Sequence, residues 1–317
     1  MKIVVLDRLT LGEDLDISAA GEFGTVICYG KTDDCDVEER IGDADVIFVN
    51  KVKLGEHNLK NAASLKLICE AATGYDNIDI NYCQKRGIAV CNVPGYSVYS
   101  VAQVTVSMVL SLVNHLKEYT RYTADGSYTD GKAANILTPV YHELYGKTWG
   151  IVGYGAIGAR VGEIAKALGC NILAFKRNPI DGVCCTDIDT LVEKSDIITV
   201  HIPLSEKTKG LISKERIDKM KKTAVLVNTA RGAVIDESYL CEAIRMKKIA
   251  AFGTDVYSEE PFGKASPYYE IKDYDNVCLT PHMAWGTKEA RERCFEEMLS
   301  NMSVFFEGKV RNRIDLI

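Results

Sequence analysis

A chain of 317 residues, 47% hydrophobic and 26% charged, has the make-up of an ordinary globular protein with room for two domains. Its formal net charge of -6 argues against nucleic acid or an anionic membrane as the main partner, so any anion site must be local. Eleven cysteines, odd in number and irregularly spaced with no Cys-x-x-Cys pair, argue for reduced thiols and a cytosolic setting.

The N-terminal MKIVVLDRLT has an apolar run too short for a signal segment and reads as a first strand. Further short apolar runs at Val26–Tyr29, Val46–Val49, Leu67–Cys69 and Ile88–Cys91 alternate with helical stretches, which predicts parallel α/β wiring. None of these strands leads into a glycine-rich turn, so the first domain is expected to serve the substrate. In it, AATGYDN follows a strand end, and backbone N–H groups in such a loop can receive a carboxylate; the alternative is that Gly74 only permits a turn. Asn50 and Lys51, at another strand end, either meet substrate or face water. A helix is expected to begin near Asp79.

From Val98 the run VYSVAQVTVSMVLSLVNHLKEY has helical spacing and predicts one long helix entering a second domain, with Thr105 on the ligand side. Its Ser, Gln, Thr and Asn residues suit a buried helix better than a membrane span. After a looser segment, Tyr122–Tyr145, comes WGIVGYGAIGARVGEIAKALGCNILAFKRNP: strand, Gly-x-Gly-x-x-Gly turn, helix, strand. Gly153 permits the tight turn, Gly155 lets the backbone approach a pyrophosphate together with Ala156 and Ile157, and Gly158 lets helix and strand pack closely. Gly169 is placed to close the helix.

That second strand ends in Lys176, Arg177 and Asn178, where an acidic residue would hold an NAD ribose. The basic pair suits a 2′-phosphate and therefore NADPH; the alternative is a solvated pair on a turn, and Asp181 is a weak counter-candidate beyond Pro179. Later strands at Ile197–His201, Ala224–Asn228, Ala250–Thr254 and Val277–Leu279 make this domain a doubly wound parallel sheet. Ligands bind at the carboxyl ends of such strands. The residues to inspect there are His201, Ile202, Pro203 and Thr208 on the cofactor side, then Thr229, Ala230, Arg231, Asp255 and Thr280-Pro281-His282. Lys288–Phe306 reads as a last helix returning to the first domain.

A dinucleotide implies hydride transfer, which asks for a proton donor and a cation at a carbonyl oxygen. Of five histidines, His57, His115 and His142 lie away from strand ends, and His201 fits the adenine side. His282 is the best donor. Arg231 can grip a carboxylate and carbonyl through its guanidinium, and Glu260 in SEEP can pair with His282 and favour the imidazolium. The bland alternatives are a surface ion pair and a satisfied loop histidine.

In order and spacing, GYGAIG, VNTARGAVIDESYL, GTDVYSEEP and LTPHMAW resemble the D-isomer-specific 2-hydroxyacid dehydrogenase family over essentially the whole chain. The resemblance implies an α/β fold of two Rossmann-like domains with parallel sheets. One is a flavodoxin-like substrate domain, 1–98 and 288–317; the other is a doubly wound dinucleotide-binding domain, 99–287. It implies Arg231, Glu260 and His282 as catalytic residues, Thr229, Ala230 and Asp255 beside the nicotinamide, and Thr73 and Gly74 on the substrate carboxylate. HMAW followed by EAR is similar to the glycerate dehydrogenase (hydroxypyruvate reductase) branch, with Trp285 either shaping the substrate pocket or packing in the core. The cofactor is expected to be NADP(H) by preference, with NAD(H) possible, the ligand a small 2-oxo or 2-hydroxy acid, and the assembly a homodimer. The rival from another class is a dinucleotide-sensing, corepressor-like interaction protein; a methyltransferase leaves the Arg, Glu and His positions unexplained.

Overall fold

The computed structural model describes residues 1–178 and 181–317. The chain divides into two compact units, Met1–Ser97 with Gly286–Ile317, and Val98–Trp285.

In the first unit β1 (Lys2–Val5), β2 (Thr25–Cys28), β3 (Val46–Val49), β4 (Leu67–Glu70) and β5 (Ala89–Cys91) form a parallel sheet. Its order is β2-β1-β3-β4-β5, the flavodoxin-like arrangement. Every residue of β3 and β4 is buried, as strands covered on both faces require. The crossovers carry α1 (Val37–Ile41), α2 (Glu56–Leu59) and α3 (Ile80–Arg86). Asp79 starts α3 by accepting the Tyr82 N–H, and Gly87 ends it at φ 69°.

The second unit opens with α4 (Val98–Val113), α5 (Leu116–Ala124) and α6 (Ser127–Asp130). The expected single helix over this run is two. The chain breaks at His115, whose φ is 51°, and α5 turns 66° away from α4. The cause is where the apolar stripe stops. α4 buries Val101, Ala102, Val106, Met108, Val109 and Leu112, each large aliphatic worth roughly 1.5–3 kcal/mol, whereas α5 buries no residue. Instead α5 docks by polar contacts: Lys117 donates to the Tyr274 carbonyl at 2.8 Å, and Arg121 grips Asp275 at 2.5 and 2.6 Å. No single helix among the described residues is long and apolar enough to cross a membrane.

Next come β6 (Thr148–Val152), α7 (Ala156–Ala167), β7 (Asn171–Phe175), β8 (Cys184–Cys185), α8 (Ile188–Lys194) and β9 (Ile197–Val200). The wound sheet continues through α9 (Lys214–Lys219), β10 (Val225–Asn228), α10 (Glu237–Arg245), β11 (Ala251–Thr254), α11 (Pro267–Ile271) and β12 (Val277–Leu279). All pairings are parallel, in the order β12-β11-β10-β9-β6-β7-β8. The strand β8 was not expected, because two residues give no periodic pattern. The turn read at Pro179 lies outside the described residues.

α7 closes as its sequence predicts: Gly169, at φ 83°, donates to Lys166, and Cys170 donates back to Ala165. The last helix, α12 (Lys288–Phe306), belongs to the first unit. It packs there through Phe295, edge-on to Phe48 of β3 at 6.3 Å between ring centroids.

Candidate active site

The glycine turn lies between β6 and α7, and each glycine answers to a different neighbour. A Cβ on Gly153 would stand 2.8 Å from the His201 carbonyl, and its φ of 97° excludes most other residues. A Cβ on Gly158 would reach 2.2 Å from the Gly153 carbonyl oxygen. A Cβ on Gly155 would meet nothing within 4 Å. The two outer glycines are therefore required by packing, while the middle one leaves open space in front of the N-terminus of α7. There Gly155 and Ala156 are exposed, and the first N–H groups of the helix, Ala156 and Ile157 among them, have no intrahelical partner. That is room and polarity for a pyrophosphate.

At the far end of β7, Lys176, Arg177 and Asn178 are all exposed. After β9, His201 is pushed down to about 3 by burial, so its ring is neutral. Its Nδ1 lies 3.4 Å from the Thr229 hydroxyl, and its buried Nε2 has no partner among the described residues. An orphaned ring nitrogen on the cofactor side fits a ligand group that the protein itself does not supply. Thr208 turns the chain after Pro203, donating to the Pro203 carbonyl at 2.6 Å and accepting the Ser205 N–H. Ile202 is half-buried. Thr105, 0% exposed, bonds Val101 and the Thr229 hydroxyl, so it stands behind Thr229 as a support.

Arg231 follows β10 in a clamp made by Asn228. The Asn228 side chain accepts the Ala230 N–H at 3.0 Å and donates to the Arg231 carbonyl at 2.9 Å, folding the strand end back on itself. Gly232 must be glycine, since a Cβ there would lie 2.2 Å from the backbone at Tyr257 and Ser258. The arginine loop thus abuts the loop that carries Glu260. The Arg231 guanidinium donates to the Ala230 carbonyl at 2.8 Å.

Glu260 Oε1 accepts the Tyr257 N–H at 3.0 Å, and Oε2 lies 2.6 Å from His282 Nδ1. A carboxylate only accepts, so Nδ1 carries the hydrogen and Nε2 is the nitrogen left to exchange a proton. His282 sits at φ 53°, a left-handed position that costs a non-glycine residue about 1–2 kcal/mol. Asp255 holds it there. Buried at 2% exposure, Asp255 accepts the Thr280 hydroxyl at 2.6 Å and the N–H groups of Met283 and Ala284 at 2.9 and 2.8 Å. Tyr257 adds a hydrogen bond from its hydroxyl to the Thr280 carbonyl. The roles of Asn228, Tyr257 and Gly232 as scaffolding were not read from the sequence. The Asn-x-Ala-Arg turn was the available signal.

In the first unit, Thr73 is exposed, Gly74 is half-buried and Lys51 is exposed. Asn50 turns inward instead: it is 4% exposed, and its Nδ2 donates to the Ala71 carbonyl. Trp285, partly buried, follows Ala284, whose carbonyl accepts the Ser100 hydroxyl.

An open glycine turn at the first crossover of a doubly wound sheet, beside strand ends bearing an Arg and a Glu–His pair, defines the class as a dinucleotide-dependent oxidoreductase. Residues 106–284 match the family model described as D-isomer specific 2-hydroxyacid dehydrogenase, NAD binding domain. The chain belongs to the D-isomer-specific 2-hydroxyacid dehydrogenase family, in its glycerate dehydrogenase and hydroxypyruvate reductase branch. It is 35% identical to a hydroxypyruvate reductase of Blautia hydrogenotrophica, over 99% of this chain and 100% of that one. A glycerate dehydrogenase of Methylorubrum extorquens is 34% identical over 99% of each chain. Among solved structures, an acyclic imino acid reductase in complex with NADPH and D-Arg superposes with a TM-score of 0.89 at 28% identity, covering 99% of this chain and 100% of that one.

Proposed function

We propose that the protein reduces a small 2-oxo acid, hydroxypyruvate or glyoxylate, to the D-2-hydroxy acid, with NADPH preferred over NADH. The observation that carries this reading is the 2.6 Å pair of Glu260 with His282 Nδ1, which leaves Nε2 as the proton donor. When bound, the dinucleotide supplies hydride to C2 of the oxo acid. His282 then gives the forming alkoxide its proton, and Glu260 balances the charge of the imidazolium before transfer. Arg231 holds the substrate carboxylate and polarises the carbonyl oxygen through two guanidinium donors. Thr73 and Gly74 offer backbone N–H groups suited to a carboxylate, Lys51 offers a positive charge, and Trp285 offers a bulky wall for the substrate's side chain.

Gly153, Gly155, Ala156, Ile157 and Gly158 would hold the pyrophosphate, and Lys176, Arg177 and Asn178 a 2′-phosphate. His201, Ile202, Pro203 and Thr208 would line the adenosine side; Thr229, Ala230 and Asp255 the nicotinamide, with Thr105 behind them. A homodimer is supported by the segment before β6, where Leu137, Val140, Tyr141 and Tyr145 are exposed at 66%, 69%, 49% and 80%. A panel of 2-oxo acids assayed with NADH and with NADPH tests substrate and cofactor together. Turnover of hydroxypyruvate or glyoxylate with a kcat/KM favouring NADPH is expected. A kcat/KM favouring NADH would overturn the cofactor assignment, and no turnover of any 2-oxo acid would overturn the enzyme.

A further inference from the structure

Glu70, the last residue of β4, is 0% exposed, and no arginine or lysine side chain bonds to it among the described residues. Its Oε2 accepts the Asn77 amide at 3.0 Å, and its buried Oε1 has no partner among the described residues. The same Asn77 Nδ2 donates to the Val52 carbonyl at 3.1 Å, while backbone bonds Leu54 to Asn77 and Asp79 to Leu54, both 2.8 Å, pin the two loops together. On the other side of the segment, Asp7 accepts the N–H groups of Asn50, Lys51 and Val52 at 3.1, 2.6 and 3.2 Å. The N–H groups of residues 50–52 are therefore held by Asp7, just past β1, and the Asn50 and Val52 carbonyls by Asn77, which Glu70 orients.

We propose that Glu70 is a positioning residue: acting through Asn77, it locks the loop after β3 to the loop after β4 and so fixes Lys51, Thr73 and Gly74 for the substrate carboxylate. The inference rests on the substrate reading of those loops given above. An aliphatic side chain would fill the space but could not orient an amide; only an acceptor can. Burial, and then Asp7, push the Glu70 carboxyl well above the ordinary range, against the Asn77 hydrogen bond and Lys51, which pull it down. The charged or titratable groups around it are Asp7 just past β1, Lys51 after β3, Asp76 in its own loop and Cys294 of α12. Of these only Lys51 favours ionisation.

The test is steady-state kinetics of the full chain with saturating NADPH and varied hydroxypyruvate, beside amide hydrogen exchange of residues 50–54 and 71–79 without substrate. Asn77→Leu should raise KM about tenfold with kcat within about twofold, and should speed exchange in both loops. Glu70→Gln keeps the acceptor and should hold the wild-type KM and exchange, whereas Glu70→Leu, which fills the space without an acceptor, should reproduce Asn77→Leu. A wild-type KM and wild-type exchange in Glu70→Leu would overturn the assignment. So would faster exchange in Asn77→Leu with an unchanged KM. If the wild type reduces no 2-oxo acid, the substrate reading falls and takes this role with it; unchanged exchange in Asn77→Leu would dispose of the clamp by itself.

Discussion

The strain at His282 and the commitments of Asp255 make separate claims about two residues that sit one loop apart. His282→Ala removes the Nε2 proton donor but leaves the glycine turn untouched. Turnover should fall by about 10²–10⁴-fold, while NADPH affinity, read by fluorescence titration, stays within about threefold. Equal loss of cofactor binding would contradict the role. Asp255→Ala acts differently, stranding the Thr280 hydroxyl and two backbone N–H groups that a buried carboxylate now satisfies. Its cost should be about 2–4 kcal/mol in a denaturant melt, because the lost acceptor is charged and buried. Asp255→Asn keeps one acceptor and should recover part of that loss.

At the scale of the element, the β6-turn-α7 unit separates packing from binding within three glycines. Gly158→Ala should destabilise the fold by about 1–3 kcal/mol, since its Cβ would meet the Gly153 carbonyl. Gly155→Val should leave the melting temperature almost unchanged, because its φ of -85° suits a β-branched residue and the space is open, yet it should abolish cofactor binding. A Gly155→Val protein that still binds NADPH would remove the pyrophosphate from this turn. One strand further on, Lys176→Asp with Arg177→Ser should shift kcat/KM toward NADH by about 10–10³-fold, the worth of one or two charge-assisted bonds. The break between α4 and α5 belongs to this scale as well. Continuous helical spacing in VYSVAQVTVSMVLSLVNHLKEY says nothing of the point where the buried stripe ends, and the polar half found its partner at Asp275.

Across the whole molecule, two buried groups impose opposite pH dependences on stability. Glu70 is held above its unfolded value, so its folded form binds the proton longer; stability is greatest below the ordinary carboxyl range and declines as pH rises through the folded value. His201 is depressed to about 3, so its contribution is complete above about 6.5 and is lost as pH falls toward 3. Thermal melts of wild type and Glu70→Gln across pH 5 to about 8.5 should diverge as pH rises, the variant gaining. A constant gap between them would show that Glu70 does not titrate differently on folding. At the same scale, Leu137→Asp with Val140→Asp should convert a dimer to a monomer in sedimentation velocity, and a wild-type monomer would refute the assembly.

Much of this could be read in the chain itself. Apart from β8, the strands of both sheets, the Asp79 and Gly169 helix ends, the bounds of the last helix and the glycine turn are local: each depends on periodicity, a capping side chain or a φ that few residues tolerate. Arg231, Glu260 and His282 stood out because parallel wiring puts strand ends in one place. Tertiary structure decided what those residues lean on. That Asp255 spends its carboxylate on the His282 loop, that Asn50 turns inward and that Glu70 is buried all depend on contacts between segments distant in sequence. No local pattern encodes those contacts, because hydrogen-bond partners and desolvation are fixed only when the sheet has brought the segments together.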